Sequence, residues 1–478
     1  MSETTSGRPL NHIDKMVYAL DYKPEELLAY SGEKTGNPKP KEGSLHGTTY
    51  TVMKREKRNA QRIAETFSVM DAIKDSTYPG ALLLVNGKLL DNTPTELVTD
   101  RNPITISCDM PGIISAGSAV KNPTYSEVTS ATNKIIEGWL TNGKGYDIRA
   151  NFSLQKEMIY NETQMETSFG LNIKYLQNEI GVDFKLAKEG KKQYLLAQWR
   201  QIFYTVSMDK PKYPSDMIAE SVECSELTTK GVNNSNPPAY VSNVSYGRLF
   251  YMKLETTSQS SSVEAAFNAA ISKSGITIST ETRNKYKDIY ENTSFTFLAL
   301  GGGTDPLSGM LKAGGDFEKV NKIIAESCKF AKSNPGYPLM YTVNFLKDNS
   351  IAKINMATEY VVTSYETYNE GKLEYDHQGW YNAEFYFYWD RIIDFDDKGN
   401  PRYRHESWSG NGKVRALGAK GIVNLDGSCR NVRIKIHTHT INKDILNTRA
   451  MPLVPKRYVK TTGTAFSARY HMTPGEFD

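Results

Sequence analysis

Apolar residues between Phe169 and Leu186 fit two periods at once. Phe169, Ile173, Leu176 and Ile180 fall on one face of a helix, an amphipathic stripe that would turn inward. Read as a strand, Ile180, Val182, Phe184 and Leu186 alternate with Gly181, Asp183, Lys185 and Ala187, the apolar-out, polar-in pattern of a barrel strand in lipid. Lys188-Glu189-Gly190-Lys191-Lys192 suits the turn of a hairpin. A second stretch repeats the ambiguity: Val263, Ala266, Phe267, Ala270 and Ile271 make a helical stripe, while Ile276, Ile278 and Thr280 alternate with Thr277 and Ser279. Such segments suit a chain stored as helices in water and re-paired as hairpins in a membrane. An ordinary surface helix followed by a strand is the alternative, because short windows do not separate the two periods. Charge favours the first reading, since Asp183 and Lys185 lie opposite Val182 and Phe184. A lysine on the lipid face at mid-depth would cost about 2–4 kcal/mol. The returning arm, Tyr194 to Gln198, alternates poorly.

Elsewhere the pattern predicts a strand over Thr49–Lys54 and a helix over Ala60–Asp71. Val128, Ala131, Ile135 and Trp139 predict a helix over Thr124–Leu140. Ile202–Val206, Ala239–Val244, Gly247–Leu254 and Ser294–Leu300 read as strands, the last ending in Gly301-Gly302-Gly303. From about Gly371 short strands alternate with turn signals such as Asp396-Asp397-Lys398-Gly399-Asn400, which predicts a β-sandwich over 371–478.

Composition narrows the function. A chain of 478 residues with a net charge of +4 and no basic cluster does not point to nucleic acid. No apolar run reaches the length of a membrane helix, so any entry into a bilayer must use closed β-pairing. The polar start MSETTSGRPL implies a cytosolic chain or one that begins after cleavage. Four dispersed cysteines give neither a disulfide framework nor metal-ligand spacing. The seven histidines are scattered, and no triad or phosphate loop stands out, so no enzyme and no cofactor is expected. His437 and His439 would share a strand face, but no third ligand accompanies them.

Many short words then resemble one family. They include Leu20-Asp21-Tyr22, Thr77-Tyr78-Pro79-Gly80-Ala81-Leu82, Val120-Lys121-Asn122-Pro123-Thr124-Tyr125-Ser126, Gln201-Ile202-Phe203-Tyr204-Thr205-Val206-Ser207 and Phe345-Leu346-Lys347-Asp348-Asn349-Ser350. From about Val17 to Lys435 the chain resembles the cholesterol-dependent cytolysins, bacterial pore-forming toxins. The resemblance implies an α+β, elongated multidomain cytolysin/MACPF-like fold. A bent central β-sheet and discontinuous domains would lie within 1–370, with helical clusters at about 170–198 and 265–288. The 371–478 sandwich would bind the target membrane or a receptor.

It also implies a secreted protein that closes into a large ring of like subunits and inserts two hairpins per subunit into the target cell membrane. Gly301 and Gly302 match the family's hinge. Tyr160 and Phe295 match an aromatic pair between neighbouring subunits, and Glu162 matches an acid that pairs with a lysine there. That lysine position falls at Gly315, with Lys312 close by. The family's ECTGLAWEWWR loop is replaced here by Ile436-His437-Thr438-His439-Thr440-Ile441-Asn442-Lys443. Its cholesterol-recognising Thr-Leu pair falls at Ala465-Phe466. The chain is accordingly more similar to relatives that lack this loop, some of which act with a longer homologue as partner. His437, His439, Ala465 and Phe466 then mark the expected receptor-binding loops, and a non-lytic receptor-binding module is the rival reading.

Overall fold

Five strands organise the larger of two compact units: β1 (Asn151–Ile159), β2 (Gln193–Met208), β3 (Pro238–Thr256), β4 (Thr293–Leu300) and β5 (Gly309–Lys312). The computed structural model describes residues 8–69, 73–113, 116–142, 149–300, 309–312 and 317–475. One unit comprises Met1–Thr35, Arg58–Ser258 and Ser262–Tyr360; the other comprises Gly36–Lys57, Gln259–Ser261 and Val361–Asp478.

β2 and β3 pair antiparallel over nearly their whole length, from Gln193↔Thr256 to Ser207↔Asn243. Over one half of this spine β1 flanks β2, β4 flanks β3, and β5 flanks β4. Over the other half the partners change: Ile104–Cys108 pairs with the end of β2, and Tyr337–Phe345 pairs with β3. The exchange coincides with a register irregularity between Ile202 and Tyr204 and with Gly247. A β-carbon on Gly247 would stand 1.8 Å from the Gln201 carbonyl oxygen, so only glycine lets the two strands approach there. Sequence pattern divides this stretch into Ala239–Val244 and Gly247–Leu254; the chain instead runs through as one strand.

Both faces of the spine are apolar. Tyr194 and Leu196 on β2, with Leu249 and Tyr251 on β3, belong to one core. Their neighbours Leu195, Ala197, Trp199, Phe250, Met252 and Leu254 belong to another on the opposite face. This explains the poor alternation from Tyr194 to Gln198: a strand covered on both sides is apolar at every step. It also corrects the expected first helical cluster, whose residues 193–198 belong to the sheet.

The expected helix over Ala60–Asp71 is replaced, as far as Ala64, by the strand Thr49–Ala64. Ala60, Arg62 and Ala64 are half-buried while Gln61 and Ile63 are exposed, a period of two. Sheet pairing has overridden the helix propensity of an Ala-, Arg- and Gln-rich stretch. The predicted stripe of Val128, Ala131, Ile135 and Trp139 is buried along the helix Tyr125–Asn142.

In the second unit two sheets enclose a core that includes Phe385, Phe387, Val432, Ile434 and Val459. One runs Lys420–Leu425, Gly371–His377, Arg457–Thr462, Arg469–Thr473; the other runs Pro401–Ser407, Ala383–Phe395, Cys429–Thr438, Lys443–Asn447. Inward residues alternate with outward ones along Ala383–Phe395, as a sandwich requires.

Gly247→Ala is expected to lower stability by about 1–3 kcal/mol through overpacking. A urea melt of the variant that matches the parent would show that the spine can open at this point.

Candidate functional site

The two dual-period segments cover opposite faces of the same spine. The first follows α1 (Glu162–Phe169) and breaks into short pieces: a 3₁₀ turn at Leu171–Leu176 and helices at Gln177–Ile180 and Phe184–Lys188. Gly181 ends one piece in the left-handed region at φ 66°, and the Asp183 carboxylate starts the next by accepting from the Leu186 amide. Phe169, Ile173, Leu176 and Ile180 are all buried against Tyr194, Leu196 and Tyr251. Val182 and Phe184 pack partly buried on the same core, and Leu186 is half-buried. The predicted helical stripe is therefore the one that holds the segment down.

One polar contact was invisible in the sequence. Lys253 of β3, almost fully buried, donates to the Gly181 carbonyl at 2.6 Å and to Glu255 Oε2 at 2.7 Å. Lys192 donates to Glu255 Oε1 at 3.1 Å. Burial pushes the Glu255 carboxyl up, but these two ammonium groups outweigh it and hold it below the usual carboxylate range. A buried lysine of the spine thus grips the backbone of the segment that lies over it.

The second segment opens with α2 (Val263–Ala270), whose Val263, Ala266, Phe267 and Ala270 are buried, as is Ile271 beyond it. Ile271-Ser272 then pairs with Gly275-Ile276 in a two-residue ladder. Asn321, on α3 (Phe317–Glu326), completes it: its Oδ1 accepts from the Ile276 amide at 2.7 Å, and its Nδ2 donates to the Ile276 carbonyl at 2.6 Å. A side-chain amide here stands in for a neighbouring strand. Lys156 of β1 donates to the carbonyls of Asn268 and Ile271, and Trp199 Nε1 donates to that of Ser272. Ile278 is partly buried, and Ser279 caps the helix Thr280–Lys285.

The sheet's two flanks differ. β1 pairs with β2 by one edge, and among the described residues no strand pairs with its other edge. β4 is covered by β5, with Phe295 opposite Leu311. Tyr160, just past β1, stacks on Tyr360 with centroids 5.8 Å apart. Phe295 is fully buried, edge-on to Phe317 at 4.9 Å. These two expected interface aromatics sit on opposite sides of the spine and do not touch within the chain. Glu162 accepts from Gln177 at 2.7 Å. Gly301, Gly302 and Gly315 lie outside the described residues.

In the sandwich, four loops gather at one end. The Trp380 amide donates to the Gly463 carbonyl, and the Gln378 amide to that of Thr461. The Gly418 amide bonds His377, and the His439 amide bonds Asn382. His377, fully buried beneath them, lies 2.7 Å from Thr461 Oγ1 and 2.6 Å from the Tyr381 carbonyl. Of the residues expected to face a receptor, Phe466 is 91% exposed while Ala465 beside it is buried. His437 is taken up by Asp444 at 2.7 Å and Asn442 at 3.0 Å, and His439 by Glu384 at 2.9 Å. Among the described residues no group of three ligands fit for a metal occurs. Trp380, 77% exposed in the adjoining loop, was missed. Its only signal is a large aromatic directly after the turn dipeptide Gln378-Gly379.

Comparison with known proteins agrees over nearly the whole chain. Residues 12–368 match the family described as thiol-activated cytolysin, and residues 372–469 match the thiol-activated cytolysin beta sandwich domain. Tetanolysin of Clostridium tetani (strain Massachusetts / E88) is 41% identical over 459 residues, spanning 95% of this chain and 86% of that one. The crystal structure of listeriolysin O superposes with a TM-score of 0.84 at 33% identity, covering 96% of this chain and 95% of the other. A non-hemolytic pneumolysin from Streptococcus pneumoniae strain ST306 gives 0.81 at 32% identity, covering 96% and 98%. Homologues of this kind are secreted toxins, not enzymes, that insert into target cell membranes and oligomerise into rings on them. With its spine, its two buried dual-period segments and its sandwich, the chain belongs to the thiol-activated, or cholesterol-dependent, cytolysins, a family of pore-forming toxins.

Proposed function

We propose that this chain perforates membranes by converting the segments at about 170–192 and 265–288 into two hairpins per subunit. One observation carries the reading: each segment buries a helical stripe on its own face of the spine, yet also carries a period-two pattern. In the hairpin form Ile180, Val182, Phe184 and Leu186, and in the second segment Ile276 and Ile278, would face lipid, and Asp183 and Lys185 would face the lumen. Pairing with neighbours satisfies the backbone in lipid, and only a closed ring does so without leaving an edge. The edge of β1, with which no strand pairs among the described residues, and β4 on the other flank would offer complementary surfaces for head-to-tail association. Tyr160, Glu162 and Phe295 would meet across that joint, with Gly301 and Gly302 giving the bend that releases β5.

Docking is assigned to the loop end of the sandwich, through Phe466 and Trp380 rather than through cholesterol recognition. The burial of Ala465 and the replacement of the Trp-rich loop by Ile436–Lys443 support this. The same departures support a place among the short, loop-lacking relatives that act with a longer homologue. A non-lytic receptor-binding module is the second reading. Its support is that a relative described as non-hemolytic shares the fold at a TM-score of 0.81.

Dye release from liposomes, with and without cholesterol and with any longer homologue, separates the two readings. Perforation predicts release in at least one combination and independence from cholesterol; silence in all of them favours the non-lytic module.

Replacing Trp380 and Phe466 by alanine is expected to leave the thermal midpoint within error, since exposed positions shift stability by less than about 0.5 kcal/mol. Liposome binding should weaken by about tenfold or more, as expected for losing about 1.5–3 kcal/mol per buried aromatic. Unchanged co-sedimentation would remove these residues from the docking surface.

A polarity-sensitive dye on Val182→Cys should report lipid in assembled pores, and on Asp183→Cys water, in a background without the four native cysteines. Equal signals would falsify the hairpin assignment.

Lys253→Met and Asn321→Ala each strip a backbone anchor worth about 1–3 kcal/mol. Hydrogen exchange should rise at 177–190 in the first and at 271–278 in the second, and neither elsewhere. Because the folded pKa of Glu255 is depressed, its stabilising share is present above the ordinary glutamate pKa and is lost as pH falls through the depressed value. Exchange in 177–190 should therefore quicken on acidification, and less so in Lys253→Met.

A further inference from the structure

Beneath the root of the first segment lies a small cavity of about 30 Å³ whose lining includes Arg62 and Arg200 and, among the described residues, no Asp or Glu. Arg62 enters from the strand Thr49–Ala64, and Arg200 from β2. Arg62 donates to the Ser168 carbonyl and, at 3.4 Å, to that of Thr167. These bonds cap the end of α1 and use a single nitrogen. Arg200 donates to Gln198 Oε1 at 3.2 Å, also from one nitrogen. Among the described residues no Asp or Glu stands within 4.0 Å of either, so neither forms an ion pair.

This arrangement is electrostatically unbalanced. Burial pushes the pKa of Arg62 down; burial likewise lowers that of Arg200, with Tyr251 opposing and the charge of Arg62 adding to it. Like charges in a half-buried recess repel each other, and a small anion between them would relieve the repulsion. Other donors face the same space. Asn92 lines the cavity, and its side-chain amide nitrogen is buried without a hydrogen-bond partner. Thr66 and Ser68 line it as well. Planar guanidinium forks suit an oxyanion, which accepts two parallel bonds from each.

We propose that this cavity binds a small tetrahedral oxyanion of the phosphate or sulfate class, held by Arg62 and Arg200 with Asn92 as a third donor. Arg62 grips α1 just ahead of the first segment, and Arg200 belongs to the spine. A bound anion therefore fastens the root of that segment to the sheet.

The test is calorimetric titration of the full chain with inorganic phosphate and with sulfate, at constant ionic strength set by chloride. Saturable binding is expected, weakened about tenfold or more in both Arg62→Gln and Arg200→Gln, since a charge-assisted bond is lost in each. Arg200→Lys should retain part of the affinity. Absence of saturable binding to the parent protein, or parental affinity in Arg200→Gln, overturns the site.

Should Arg62→Gln fail to fold, the thermal midpoint decides. A rise in sulfate over chloride that Arg200→Gln lacks supports the site, and an equal rise in both overturns it. Hydrogen exchange across 162–180 should slow in phosphate; binding that leaves it unchanged overturns the fastening role. None of these readouts requires membrane insertion, so the site stands or falls apart from pore formation.

Discussion

The pairing of β2 with β3 is the constraint on which the rest of the larger unit depends. Sixteen and nineteen residues long, these strands are apolar on both faces along the half that carries β1 and β4. Such a ribbon cannot stand in water; each face needs a cover. The covers are the two dual-period segments. Their helical stripes follow from this need, because only an apolar stripe can lie on an apolar sheet. Packing on the sheet does not require an alternation as well: Ile180 and Ile276 are buried in it, but Val182, Phe184 and Ile278 are only partly so, and it is this second period that speaks for a second conformation.

The cost of leaving the first conformation is considerable. Val263, Phe267, Ile271 and Ile276 are buried almost completely. At about 1.5–3 kcal/mol per side chain, their burial amounts to something on the order of 10 kcal/mol as an upper bound. The proposed conversion would have to recover this through strand pairing and lipid contact. Lys253 and Asn321 add specificity to the storage, since each fixes one backbone position that apolar packing alone would let slide. The short helical pieces of the first segment, broken at Gly181, suit such a cover: none is long enough to persist once it leaves the sheet.

Much of this was legible in the chain because periodicity is local. The stripe Val128, Ala131, Ile135 and Trp139, the strand ending at Leu300 and the onset of the sandwich at Gly371 each announce themselves within a dozen residues. What escaped depends on distant partners. Ala60–Ala64 is a strand through its place in a sheet, against its own propensity. Ser245-Tyr246 reads as a break, but one strand runs through it, with Gly247 next to it where Gln201 leaves room for nothing larger than a hydrogen. Tyr194–Gln198 was assigned to the movable arm, although both its faces were already occupied. Lys253, Asn321 and Trp380 carry no period at all: two bind backbone far away in sequence, and the third stands alone at the end of a loop.

The unequal flanks of the sheet bear on how the molecule behaves before it meets a target. Among the described residues no strand pairs with the outer edge of β1, whereas β4 is paired with β5. If subunits join through these two flanks, as proposed, two dissolved copies would meet with β1 open and β4 already paired. On that proposal, growth of an assembly would be self-limiting in water and polar once begun, one end being ready and the other needing β5 to leave first.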